Sequence, residues 1–110
     1  MANTFKSKTK SNVGTSPSTV YTVPAATSTI LIGFNIANTT ANTVTADVFL
    51  NKSDAGANDV YIVKGIELPT GTSFEFNTGN KIVLETGDLI QVTSSASTSV
   101  DVILSILEQT

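Results

Sequence analysis

The side chains of this chain that could do chemistry are carboxylates, lysines and hydroxyls, because the sequence contains neither histidine nor cysteine. A serine or threonine nucleophile needs a neighbouring base, and histidine is the usual one. Paired carboxylates could hydrolyse glycosides at a separation of about 5–9 Å, but the nine acidic residues are spread over predicted turns and strand edges. Glu85 and Asp88 share one turn, and we interpret them as turn residues. We therefore predict that the protein is not an enzyme and uses no cofactor.

The longest loop candidate, residues 51–58 with the sequence NKSDAGAN, raises the question of a calcium site. Asp54, Asn58 and Asp59 could supply the oxygen ligands that calcium prefers. Their spacing does not match the EF-hand loop, and Asp and Asn are ordinary turn residues. A zinc site would have to be built from carboxylates alone, against the usual preference for nitrogen and sulfur ligands. We therefore predict no metal site.

Positive charge is concentrated at the start of the chain. Lys6, Lys8 and Lys10 supply half of the six lysines, whereas the whole chain carries a net charge of −3. A basic segment on an acidic body could bind nucleic acid, but the chain has no arginine and no aromatic residues between these lysines. The pattern favours a solvated or protein-docking segment, and we predict no nucleic-acid partner.

Residues 1–17 have no hydrophobic periodicity and almost no apolar side chains besides Phe5 and Val13. This composition predicts an extended N-terminal arm outside a domain of residues 18–110. Fully extended, such an arm spans at most about 55 Å, enough to touch an adjacent protomer. The polar start predicts no secretory signal, and the apolar run around residues 30–36 is too short to span a bilayer. We predict no membrane partner.

The rest of the chain predicts strands and no helix. The 18 threonines among 110 residues favour β structure, because Thr is β-branched. Apolar and polar residues alternate in short segments separated by Gly, Pro and Asn turns. The predicted strands are residues 18–23, 29–38, 43–50, 59–64, 72–76, 82–84, 89–92 and 99–108, with turns at 69–71 and 77–80. This pattern predicts one all-β domain, an antiparallel β-sandwich of about eight strands with jelly-roll-like or Ig-like topology.

Two β-hairpins are predicted from the turn signals. Residues 80–93 contain two apolar runs joined by the Gly-containing turn 85–88. Residues 29–38 and 43–50 are joined by a polar turn in the same way. Strict alternation would place Ile30, Ile32, Phe34 and Ile36 together on one face. In the second strand it places Val44, Ala46, Val48 and Leu50 inward. The segment 59–64 is predicted to be buried on both faces or nearly so.

Some apolar side chains fall on the faces that a simple sandwich would expose. In the last strand Val100, Val102, Leu104 and Ile106 take one face, which leaves Ile103 and Leu107 on the other. Phe49 and Leu31 are in the same position on their own strands. Outward apolar groups on a protein coated with Ser and Thr indicate either a buried subunit interface or coverage by the N-terminal segment of the same chain. The sequence leaves both interpretations open.

The chain also resembles a group of small all-β virion structural proteins of tailed bacteriophages. The matching segments are VYTVPA at 20–25, IANTT at 36–40, LPTGT at 68–72, residues 81–92, SSA at 94–96 and VDVILSILE at 100–108. The resemblance covers residues 19–108 and rests on turn and strand signatures. It carries over no catalytic residue.

The resemblance implies a structural role in a virion, assembled in the host cytoplasm. The leading expectation is a capsid decoration, or cement, protein that binds itself and the major capsid protein, with a trimer as one possible arrangement. The predicted partner-binding residues are Phe5, Lys6, Lys8, Lys10, Phe49, Ile103 and Leu107. The alternative is a tail, neck or head-fibre module that recognises a host surface glycan or protein through residues 51–58 and 77–80.

Overall fold

The part of the chain that the structure describes forms eight strands in two antiparallel sheets. The computed structural model describes residues 2–53 and 58–110, with the side chains of residues 76–80 outside that description. The strands are β1 (Asn3–Val13), β2 (Ser18–Thr22), β3 (Ser28–Asn38), β4 (Val44–Asn51), β5 (Val60–Leu68), β6 (Ser73–Leu84), β7 (Leu89–Ser94) and β8 (Val100–Gln109). Sheet A has the strand order β1-β8-β3-β6, and sheet B has the order β2-β7-β4-β5. The predicted all-β sandwich is confirmed.

The pairing scheme is that of a jelly roll. Strand β1 pairs with β8, β2 with β7, β3 with β6 and β4 with β5, as if the chain were first folded into one long hairpin. Rolling that hairpin brings β8 beside β3 and β7 beside β4, which completes the two sheets. The two packed sheets do not close into a barrel, and the strands at their edges are β1 and β6 in sheet A and β2 and β5 in sheet B. Of the two topologies predicted, the jelly roll is the one observed.

Both predicted hairpins are wrong. Strands β6 and β7 lie in different sheets, and so do β3 and β4. The turn signals at 39–43 and 85–88 do reverse the chain, but they carry it across the sandwich. Stacked sheets lie about 10 Å apart, and four residues can span about 13 Å, so a short turn serves either purpose. Local sequence therefore could not distinguish a hairpin from a crossing.

A register shift in β3 moves the predicted faces. The pairing of β3 with β8 shifts between Leu31 and Gly33, where Ile32 is an extra residue of β3. The pairing with β6 is interrupted at the same place, but there residues 78–81 of β6 stand opposite Ile32. Beyond this bulge Phe34 and Ile36 are buried, whereas before it the buried residue is Leu31, at 2% exposure, and Ile30 faces outward. The predictions of an inward Ile30 and an outward Leu31 are therefore wrong, because one inserted residue reverses the alternation.

The core fills the space between the sheets with aliphatic side chains from every strand. In β4 and β8 the predicted alternation is confirmed, with Val44, Ala46, Val48 and Leu50 inward and Val100, Val102, Leu104 and Ile106 inward. Each fully buried Val, Leu or Ile side chain contributes about 1.5–3 kcal/mol relative to an exposed one. Burial of one face per strand is thus the main stabilising term of the fold.

Strands β5 and β6 differ from expectation. Residues 77–80, predicted as a turn, lie within β6 (Ser73–Leu84), but the regular pairing of β6 with β3 is interrupted there, between the pairs Gly33↔Asn77 and Leu31↔Ile82. The prediction of a fully buried segment 59–64 is wrong as well, since β5 is the outer strand of sheet B and exposes Val60 and Tyr61. The turn at 69–71 is confirmed: the amide of Thr72 donates to the carbonyl of Pro69 at 3.1 Å, and Gly71 has a φ of 71°.

The N-terminal segment is extended, as predicted, but it is a strand of the sandwich. Strand β1 pairs with β8 from Asn3↔Gln109 to Val13↔Val100. Backbone hydrogen bonds between Ala2 and Thr110, at 3.2 and 3.0 Å, close this ladder at its far end. The predicted boundary after residue 17 would thus separate β1 from the other three strands of sheet A.

Candidate functional site

The outer face of sheet A carries a continuous line of apolar side chains. The register places Phe5 of β1 beside Leu107 of β8, Leu107 beside Ile30 of β3, and Ile30 beside Val83 of β6. We call these four residues the apolar row. Phe5 is 75% exposed and Val83 is 62% exposed, while the two central residues are half-buried. With strands about 4.8 Å apart, the row crosses the whole sheet over about 15 Å.

A cleft of about 650 Å³ lies further along the same face, around Asn35, Asp101 and Ile103. Asn35 pairs in register with Ile103 on one side and Glu75 on the other. The side-chain oxygen of Asn35 is buried and accepts no hydrogen bond within the described part of the chain. A buried acceptor without a donor costs about 1–3 kcal/mol of stability. A hydrogen-bond donor from a bound partner would therefore be favourable at this atom.

The structure gathers some predicted partner-binding residues and separates others. Phe5, Ile103 and Leu107 share the outer face of sheet A. Phe49 lies on the outer face of sheet B, across the sandwich from them. Two residues of the apolar row, Ile30 and Val83, were not predicted from the sequence as partner-binding residues. Alternation without the bulge places Ile30 inward, and Val83 lies in a segment predicted to form a hairpin. Ile103 remains 43% exposed beside β1, so the N-terminal segment lies next to β8 without covering its outer face.

The three N-terminal lysines start from the inner side of β1, each paired in register with a buried residue of β8. Lys6 binds the carboxylate of Glu108 at 2.8 Å, and the ammonium of Lys8 lies 6.0 Å from the ring centre of Tyr21. Lys10 borders the cleft of sheet A. Inward-pointing charges on an outer strand discourage further strand pairing. Lys6 and Lys8 are therefore engaged within the chain rather than extended from it.

A buried polar network ties β2 of sheet B to strands β1, β3 and β8 of sheet A. The phenol of Tyr21 donates to Glu108 at 2.5 Å, so the hydroxyl of Thr29, 2.8 Å away, donates to the phenol oxygen. The hydrogen bond from Lys6, followed by that from Tyr21, holds the pKa of Glu108 below its usual value. Burial and the neighbouring Glu108 carboxylate raise the pKa of Tyr21 to about 12. Both groups keep fixed charge states near neutral pH, which suits a structural role.

A second network fixes the turn at residues 85–88, between β6 and β7. Asp88 is fully buried and accepts hydrogen bonds from Lys52 at 2.6 Å, from the Ser53 amide at 3.0 Å and from the Glu85 amide at 2.9 Å. Burial acts to raise the pKa of Asp88, but these hydrogen bonds outweigh it and lower the pKa. The hydrogen bond with Asp88, followed by that with Glu85, raises the pKa of Lys52 to about 12. Glu85 and Asp88 are thus bound to one lysine.

Within the described residues, the structure shows no set of side chains arranged as calcium ligands. Asp54 lies outside them, and Asp59 accepts a hydrogen bond from the Lys52 amide at 2.8 Å. In residues 2–53 and 58–110 no group of three or more acidic side chains is arranged to hold a metal ion. The same described ranges contain no helix long and apolar enough to cross a membrane.

The outer face of sheet B carries a smaller site, which we call the aromatic groove. Its walls are Pro17, Phe49, Tyr61, Gln91 and Thr93, and its volume is about 250 Å³. The rings of Phe49 and Tyr61 meet edge to face, with centres 5.0 Å apart. Tyr61 was expected in the core, but its position on the outer strand β5 leaves it half-exposed. Alternation along β5 alone could not have indicated this, because both faces carry apolar residues.

The class of protein defined by these observations is a single jelly-roll β-sandwich with two separate outer faces, one apolar and cleft-bearing, the other with an aromatic groove. Comparisons with protein-family models, curated proteins and solved structures give no match to this chain. The function is therefore argued from the two faces.

Proposed function

We propose that the protein is a structural protein of a bacteriophage virion, a capsid decoration protein that acts by adhesion, and that it attaches through the outer face of sheet A. The virion part of this proposal rests on the resemblance of residues 19–108 to small virion proteins of tailed phages. The adhesion part rests on the apolar row. Large apolar side chains that lie side by side in register across four strands are unusual on a surface that stays in water.

The composition of the face supports burial against a partner. The cleft and the smaller pocket beside it are lined mainly by Ser, Thr, Asn and apolar residues, and the charged residues among their walls are Lys10, Glu75 and Asp101. Depletion of charge is typical of the centre of protein interfaces. The unsatisfied oxygen of Asn35 adds a specific position where a donor from the partner would fit.

The size of the face suits a stable interface. Four strands at about 4.8 Å spacing and about 3.3 Å per residue give roughly 700 Å² for an 11-residue strand length. This is close to the roughly 800 Å² per partner of a standard interface. The partners we propose are a second copy of the chain and the major capsid protein, because repeated contacts on a shell add through multivalency.

A pair of matched substitutions tests the attachment surface. Val83 on sheet A and Val60 on sheet B are both exposed strand valines, at 62% and 48%. We expect Val83→Lys to prevent self-association and binding to particles, since it places a charge in the apolar row, whereas Val60→Lys should leave both intact. Analytical ultracentrifugation and sedimentation with undecorated capsids measure the two effects. Full binding by the Val83→Lys protein would contradict the proposal.

Location and copy number test the role in the virion. Quantitative mass spectrometry and electron cryomicroscopy of purified particles should find hundreds of copies on the head. Six or twelve copies at a vertex or tail would instead assign the chain to a connector or fibre.

The second candidate function is recognition of a host surface by a tail, neck or head-fibre module. Residues 54–57 and the side chains of 76–80 lie outside the described residues, so the predicted loop surfaces 51–58 and 77–80 do not support it. The observation that favours it is the aromatic groove of sheet B.

A further inference from the structure

We infer that the aromatic groove is a binding site for one neutral hexopyranose unit of a glycan. The groove lies on sheet B, so this inference is independent of attachment through sheet A. It also differs in place from the loop surfaces considered for host recognition, because its walls come from strands β4, β5 and β7 together with Pro17.

The strand register builds the groove. Phe49 of β4 lies between Tyr61 of β5 and Gln91 of β7, and Asp47, two residues earlier, lies beside Thr93. These side chains stand on hydrogen-bonded neighbouring strands rather than on loops. A site held by paired strands is already formed before a ligand arrives, which reduces the entropy lost on binding.

The aromatic walls match the apolar face of a sugar ring. The π faces of aromatic rings are negative, and the C–H groups on one side of a pyranose carry partial positive charge. Tyr61 is 50% exposed and its phenol oxygen makes no hydrogen bond to the described residues. The Lys64 ammonium lies over one face of this ring, 4.6 Å from its centre, so a sugar would contact the part of the ring that Lys64 leaves open and the hydroxyl at its tip.

The polar walls match sugar hydroxyls. The amide nitrogen of Gln91 donates to Thr19 at 3.2 Å, which leaves its carbonyl oxygen as an acceptor. The hydroxyl of Thr93 donates to Asp47 at 3.2 Å and keeps its own lone pairs. A small number of placed polar groups among apolar walls is the usual composition of a ligand site.

Charge and size select the ligand class. None of the groove walls is charged, and the nearby ammonium of Lys64 lies 3.8 Å from the Asp47 carboxylate and 4.6 Å from the Tyr61 ring centre. The lysine is paired with Asp47, so the groove has no uncompensated positive charge that would select an anionic sugar. A volume of about 250 Å³ corresponds to roughly eight water molecules, enough for one six-membered sugar ring.

The test is a titration of the full chain, followed by NMR, with the methyl glycosides of glucose, galactose, mannose and N-acetylglucosamine. At least one should shift the signals of Phe49, Tyr61 and the Gln91 side-chain amide, with a dissociation constant on the order of 1 mM for a single ring. Tyr61→Ala should weaken this binding at least tenfold and Tyr61→Phe less than threefold. Gln91→Ala gives a second variant that keeps both rings.

Ile103→Ala on sheet A is the control and should bind as the unchanged protein does. Folding of each variant is checked by the dispersion of its amide spectrum. The inference is overturned if none of the four glycosides shifts the groove signals, or if Tyr61→Ala binds with unchanged affinity. It is also overturned if only sialylated or sulfated sugars bind and Lys64→Ala abolishes that binding. None of these results bears on decoration of particles, which is measured separately with Val83→Lys.

Discussion

Two buried carboxylates, Glu108 and Asp88, are the charged residues on which the sandwich depends most. Each is ionised because a lysine and several hydrogen-bond donors surround it: Lys6 and Tyr21 around Glu108, and Lys52 around Asp88. A buried charge is tolerated only with such partners, and losing one partner leaves the other uncompensated. Both sites link segments far apart in sequence, so each also fixes the packing of the two sheets.

Replacing Asp88 tests this at a single residue. Asp88→Asn removes the charge that binds Lys52 and weakens the hydrogen bonds from Ser53 and Glu85, so we expect a loss of about 2–4 kcal/mol in the free energy of unfolding. Urea denaturation measures it. Glu85→Gln is the matched control, because Glu85 contacts the same lysine but its side chain is 59% exposed. It should cost less than about 1 kcal/mol. Equal losses would contradict a special role for the buried carboxylate.

The pH dependence of stability follows from the same groups. The pKa values of Asp88 and Glu108 are lower in the folded protein than their ordinary 3.8 and 4.5, so the unfolded chain binds more protons in acid. Stability should therefore be complete above about pH 5 and fall as the pH drops through the folded pKa values. The pKa values of Tyr21 and Lys52 are raised from 10.0 and 10.5 to about 12, so stability should fall again from about pH 10 upward.

Thermal melts from pH 2 to pH 11 measure this profile. Glu108→Gln should flatten the acid limb, since its share of the proton uptake is removed, and Tyr21→Phe should flatten the alkaline limb. An acid limb unchanged in both Glu108→Gln and Asp88→Asn would show that other carboxylates cause it.

Among the strands, β1 differs most from the sequence-based prediction, because the predicted N-terminal arm is a strand of sheet A. Its hydrogen-bonded ladder with β8 begins at Ala2 and Thr110 and runs to a bulge between Lys10 and Val13. In an antiparallel ladder alternate residues turn their amides outward, so half of the β1 backbone is free for a further strand. The inward lysines oppose such pairing. β1 thus covers the edge of β8, an inner strand of sheet A. Its own outer edge is made unfavourable for further strand pairing by the inward lysines.

Removing residues 2–13 should therefore destabilise the sandwich itself. The deletion exposes one edge of β8 and part of the core around Val13, so we expect a loss of at least ~2 kcal/mol, or about 8 °C or more in Tm. Circular dichroism melts measure it. Phe5→Ser is the matched control, because Phe5 is exposed and its loss should weaken association without lowering Tm. A deleted protein with an unchanged Tm would restore the view of residues 1–17 as a separate arm.

At the scale of the whole molecule, the sandwich presents two different surfaces on opposite sides. Attachment through sheet A would leave the aromatic groove of sheet B pointing away from the surface to which the protein is bound. The two proposals are therefore compatible, since a decorated particle could display the groove to its surroundings. Two of the lysines predicted to bind a partner, Lys6 and Lys8, contact Glu108 and Tyr21 of their own chain.

Self-association should consequently depend little on salt. The apolar row carries no charge, so raising NaCl from 0.05 to 0.5 M should change the dissociation constant less than about threefold, because screening acts on exposed charges. Sulfate at the same ionic strength should strengthen association, since it favours burial of apolar surface. Sedimentation equilibrium measures both. A loss of association of tenfold or more in NaCl would instead indicate a contact made by Lys10, Glu75 or Asp101.

The sequence by itself determined the all-β class, the strands β4 and β8 with their inward faces, and the lack of histidine and cysteine chemistry. These follow from composition and from alternation within one strand, which are local properties. Only the tertiary structure decided that Ile30 rather than Leu31 faces outward, that β6 and β7 lie in different sheets, and that Lys6 binds Glu108. Strands with similar alternation are interchangeable locally, and their partners are chosen by backbone hydrogen bonds and packing between residues far apart in the chain.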